Sequence, residues 1–94
     1  MDLDNIKDTI KPVLEKHGVV KAGIFGSYSS GLKDQNSDID ILVKIDRNIS
    51  LLEFVRIKLE LEDILKKKVD LVEYSTIKPQ LRERILSEEK RIYG

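Results

Sequence analysis

Asp38 and Asp40 stand one residue apart at the head of the apolar run 38–45. In an extended strand, side chains at i and i+2 project to the same side, so two carboxylates share one face. Like charges so placed repel, and solvent, a raised pKa on one of them, or a shared cation relieves the repulsion. Upstream, separated by ten residues, Gly26-Ser27 directly follows a second apolar run, 19–25. A turn of this kind after a strand offers backbone N–H groups and a hydroxyl to phosphate oxygens, and Gly26 has no side chain to block close approach. Gly31 is placed to close the loop. Asp70 interrupts a third short apolar run, 69–72, where a carboxylate is costly unless it lies at an edge or has a task. If that run lies beside 38–45, three acids gather next to a phosphate cradle. Such a cluster suits a hard divalent cation, which takes carboxylate oxygens and bridges to nucleotide phosphates. Taken singly, each piece has a plainer reading, a solvated strand end for the aspartates and a strand-ending turn for Gly26-Ser27.

The elements that must position these residues are legible from periodicity. Leu3, Ile6, Ile10, Val13 and Leu14 recur at helical spacing up to about Lys16, with Gly18 as a stop and Pro12 a point of bend or break. Residues 19–25 read as a strand, 33–37 as loop, and 38–45 as a strand with Ile39, Ile41, Val43 and Ile45 on its core face. Asp38, Asp40, Leu42 and Lys44 take the other face. A long helix follows from Leu51 to about Lys67, with Leu52, Val55, Leu59 and Ile64 near helical period. A strand over 69–73 and a last helix from Pro79 to about Arg91, turning Leu81, Ile85 and Ile92 inward, complete the chain. Helices alternating with strands predict a two-layer α/β (α+β) domain, one unit spanning residues 1–94.

Composition narrows the functions open to it. Lys plus Arg and Asp plus Glu are equal at 17 each, so no net field favours a polyanion or an anionic membrane. Direct nucleic-acid binding is not expected. There is no cysteine, which removes disulfides and thiolate zinc sites and agrees with a reducing, cytoplasmic setting. No apolar run reaches membrane-spanning length and the first residues lack the pattern of a signal peptide. His17, the only histidine, sits beside Gly18 and reads as a helix-end cap.

Together, Gly26-Ser27, the spacing to Asp38-Ile39-Asp40, the apolar strand after it and Asp70 in Val-Asp-Leu-Val resemble the nucleotidyltransferase superfamily that includes DNA polymerase β. The short length resembles its minimal nucleotidyltransferase (MNT) group, the MntA-type antitoxins. The resemblance implies a small mixed sheet with packed helices. It further implies magnesium, in two ions, held by Asp38, Asp40 and Asp70, with ATP as the substrate and its terminal phosphates on Gly26 and Ser27. Asp70 would lie near the attacking hydroxyl, as a base or as a metal ligand alone. In the MNT group the partner is a helical HEPN-type toxin, neutralised by transfer of AMP to a tyrosine hydroxyl. A small-molecule or RNA hydroxyl as acceptor, and an inactive module that neutralises by occlusion, are the alternatives. One position departs from the family pattern. Ser30 stands where many relatives carry a basic residue, which leaves Lys33 or, better placed on the aspartate face, Lys44 to supply the missing positive contact. Leu51, Leu52 and Phe54 with the outer side of their helix, or the last helix ending in Arg91-Ile92-Tyr93-Gly94, would dock a partner if they are not core.

Overall fold

The computed structural model describes residues 3–26 and 38–94. Helix α1 (Leu3–Lys16) leads through a turn at Gly18, whose φ of 74° suits glycine, into strand β1 (Val19–Phe25). Strand β2 (Ile39–Ile45), helix α2 (Leu51–Leu65) and strand β3 (Val69–Glu73) follow. A short 3₁₀ turn (Tyr74–Thr76), helix α3 (Pro79–Glu88) and strand β4 (Lys90–Tyr93) complete the order. The sheet runs β3-β2-β1-β4, with β1 antiparallel to both β2 and β4 and with β2 parallel to β3. Parallel neighbours need a crossover, and α2 supplies it. The mixed sheet with packed helices is the predicted architecture.

On one face of the sheet Ala22, Ile24, Ile39, Ile41 and Val43 are fully buried against Ile6 and Ile10 of α1 and Ile57 and Leu61 of α2. Helix α1 runs on through Pro12, with Asp4 in its first turn and Lys16 in its last, each favoured by the helix dipole. Ser50 caps α2, its hydroxyl accepting from the Glu53 N–H at 3.1 Å. Leu61→Ala empties a fully buried site and is expected to cost about 2–5 kcal/mol, read from a urea unfolding midpoint.

Several expectations change on meeting the structure. Helix α2 carries two apolar stripes, and the sheet takes the one with Ile57, Leu61 and Leu65, leaving Leu51, Leu52, Val55, Leu59 and Ile64 outward. It also ends sooner, at Leu65, where Lys66 adopts the left-handed conformation and its N–H donates to the Glu62 carbonyl at 2.9 Å. Residues 90–93 are a strand, and Ile92 reaches the core from β4 rather than from a helix, while Leu81 stays exposed. Leu42, on the aspartate face, is fully buried under Tyr74 and Ile77, so that face too is partly covered. His17 is no simple cap: its ring joins α1 to α2, with Nε2 against the Glu60 carboxylate and Nδ1 3.8 Å from Glu53. Among the described residues, no helix is long and apolar enough to cross a membrane.

Candidate functional site

The acids meet because of register. In the parallel pair of β2 and β3, Asp40 lies opposite Asp70, flanked by Ile39 opposite Val69 and Ile41 opposite Leu71. That pairing starts where the Ile39 N–H donates to the Lys68 carbonyl at 3.0 Å, and the Glu62 carboxylate accepts from the Val69 N–H at 2.9 Å, fixing where β3 begins. Across β2's other edge, Asp40 lies opposite Phe25, the last residue of β1. Gly26 therefore turns directly beside Asp40. Its φ is 74°, and a Cβ added there would lie 2.1 Å from the Asp40 Oδ2. Glycine suits this left-handed turn, and any larger residue would push the Asp40 carboxylate from its place.

Electrostatics single out the same residue. Asp40 is half-buried, and its carboxyl is pushed up from 3.8 to about 6, first by burial and then by the charges of Asp70 and Asp38. Among the described residues, none of these three acids forms an ion pair within 4.0 Å. Nor do any three His, Cys, Asp or Glu side chains among the described residues close into a finished metal shell. The donor chemistry nonetheless suits a hard cation: carboxylates at one sheet end, with Asp70 and Asp38 both raising the cost of charge on Asp40.

Sequence reasoning had named Asp38, Asp40, Asp70, Gly26 and Ser27. The structure brings Asp40, Asp70 and Gly26 together and sets Asp38 immediately before β2, close enough to act on Asp40. Ser27, with Tyr28, Ser30, Gly31 and Lys33, lies outside the described residues. Lys44 is placed differently from expectation. It lies four residues along β2 from Asp40, about 13 Å at the rise of a strand, opposite Lys21 and in a separate cleft.

A strand that ends at the Gly26 turn, a second strand led by two acids and a parallel third strand contributing Asp70 make up the pattern of the site. The family model for polymerase beta, nucleotidyltransferase, matches residues 8–94. The chain belongs to this nucleotidyltransferase family. Among its relatives, a Methanocaldococcus jannaschii protein named as a protein adenylyltransferase is 50% identical over 88 residues, covering 94% of this chain and 95% of that one. The protein adenylyltransferase MntA of Thermococcus cleftensis is 40% identical over 78 residues, covering 83% of this chain and 79% of that one. Among solved structures, a chain of a toxin–antitoxin crystallised with AMP-PNP superposes with a TM-score of 0.83 at 27% identity, covering 94% of this nucleotidyltransferase and 73% of that chain.

Sequence reasoning passed over Lys21 and Arg82 and gave Tyr74 no role. They are scattered along the chain, and only strand pairing and the placement of α3 bring them to one cleft with Lys44.

Proposed function

We propose that this nucleotidyltransferase transfers AMP from ATP to a tyrosine hydroxyl of a helical HEPN-type toxin and so acts as its antitoxin. The observation that carries the reading is Asp40: a carboxylate crowded by Asp70 and Asp38, seated against a glycine turn where any side chain would displace it. The relatives named as adenylyltransferases and the likeness to a toxin–antitoxin with AMP-PNP support the nucleotide and the class of partner.

In this reading Asp38, Asp40 and Asp70 hold magnesium, which supplies neutralisation of phosphate charge and a lowered pKa for the acceptor hydroxyl. Gly26 and Ser27 hold the terminal phosphates through backbone N–H groups and the serine hydroxyl. The acceptor oxygen attacks the α-phosphorus, a new O–P bond forms as the α–β bridging bond breaks, and pyrophosphate leaves. Asp70, on the outer strand of the sheet, is the acid nearest an approaching acceptor and takes the hydroxyl proton or orients it.

A protein acceptor needs a surface, and α2 offers one. Leu51 is 78% exposed, Leu52 65% and Leu59 54%, an outward apolar stripe of the kind that marks interaction sites. Leu51 also lines a cleft of about 430 Å³ with Phe54, Leu71 and Val72, so the stripe continues onto β3, which carries Asp70. That cleft lies toward the C-terminal end of β3, further along the strand from Asp70. Replacing both leucines in Leu52→Asp/Leu59→Asp is expected to weaken toxin binding by roughly 10- to 100-fold in calorimetric titration. Because both side chains are exposed, stability should move by only about 0.5 kcal/mol. The function itself is tested by mass spectrometry of the toxin after incubation with ATP and magnesium. Added AMP mass is expected; a stable complex without it would make the chain an occluding module instead.

A further inference from the structure

The face that carries Asp40 has an opposite end, and its chemistry is inverted. Lys21 of β1 lies directly opposite Lys44 of β2. Like charges facing each other across two strands are destabilising. Arg82 of α3 joins them around a cleft of about 360 Å³ whose walls include Ile45, Tyr74 and Leu86. Among the described residues, no carboxylate lies within 4.0 Å of any of these three cations, although Glu73 also lines the cleft. The wall is firmly built. The Lys21 ammonium sits 4.4 Å from the centre of the Tyr74 ring, the Arg82 guanidinium donates to the Tyr74 carbonyl at 3.1 Å, and the Tyr74 hydroxyl donates to the Glu89 carboxylate.

The geometry points to a second anion site, at Lys21, Lys44 and Arg82, that binds a phosphate group apart from the acids. Three cations facing one carboxylate leave a net positive charge that a phosphate dianion balances, and a guanidinium beside ammonium groups suits its several acceptor oxygens. The cleft exceeds what a carboxylate needs and falls in the range of small-ligand pockets. It is also too remote to serve the phosphates at the acids. Lys44 lies about 13 Å along the strand from Asp40, with the buried Leu42 between them. The ligand is therefore a separate phosphate, either a free ion or the phosphate of a nucleoside monophosphate whose base rests on the apolar wall.

The test is calorimetric titration of the full chain with inorganic phosphate, pyrophosphate and AMP, in the presence of EDTA so that no metal serves the acid end. Saturable binding that weakens with salt is expected, as is a loss of roughly 10-fold in each of Lys44→Gln and Arg82→Gln. Lys44 is exposed, and among the described residues its ammonium makes no hydrogen bond, so its variant guards against misfolding at Arg82, which supports Tyr74. AMP binding more tightly than phosphate would name a nucleotide as the ligand; equal affinity would name the free ion. No saturable binding of any of the three would overturn the assignment. So would binding that survives both substitutions, or that is lost in Asp40→Asn instead. Because the readout needs neither metal nor transfer, its outcome is independent of the proposed reaction.

Discussion

Asp40→Asn is expected to lower AMP transfer by roughly a thousandfold, the scale of losing a central electrostatic group, while making the metal-free protein more stable at pH 7. The two effects share one cause. The folded chain holds the Asp40 carboxyl at about 6 against an ordinary 3.8, so between those values the folded state keeps a proton that the unfolded state has lost. Stability therefore falls as pH rises through that window and stays reduced above it. The full shift corresponds to about 3 kcal/mol, and solvent screening of a half-buried group brings the expected gain in the amide variant to about 1–2 kcal/mol. Urea unfolding at several pH values checks this: the wild type should weaken from pH 4 to pH 6.5 relative to Asp40→Asn. Adding magnesium should raise the wild-type melting temperature and leave the variant's nearly unchanged.

Gly26→Ala should separate activity from folding in the other direction. At φ 74°, an alanine costs about 1–2 kcal/mol, and its Cβ would lie 2.1 Å from the Asp40 Oδ2. The carboxylate is the end of a rotatable side chain and moves aside, so the fold survives with a modest drop in melting temperature. Displacing a reacting-centre carboxylate by about an ångström is worth roughly 100-fold in rate. Single-turnover transfer should fall by that factor with circular dichroism unchanged, whereas a variant that unfolds outright would mean that Gly26 is needed mainly for the turn.

Much of this was legible in the sequence, for reasons that particular residues show. The alternation of Ile39, Ile41 and Val43 fixed one face of β2, and Asp40 followed from it on the other. The pairing of Asp40 with Asp70 is conditional in the sequence, since nothing local sets the register between strands so far apart along the chain. Helix α2 misled because both its stripes fit a helical period. Periodicity finds an apolar face but not which of two faces meets the sheet, and that choice is made by packing against Ile41 and Leu14 in the shared core. Strand β4 was hidden for a different reason. It has four residues, a single buried one in Ile92, and a charged approach through Glu88, Glu89 and Lys90 that favours helix, so only pairing with β1 makes it a strand. The Lys21–Lys44 opposition is likewise invisible until the antiparallel register is known.

The measurement that bears most directly on the central claim uses ATP labelled in turn at the α- and the γ-phosphate, with magnesium and the purified toxin, for the wild type and Asp38→Ala/Asp40→Ala. Adenylyl transfer at the aspartates puts α-label on the toxin and releases γ-label in pyrophosphate, and neither event occurs with the double variant. Label from the γ-phosphate on the toxin, or α-label that persists without the two aspartates, would contradict it.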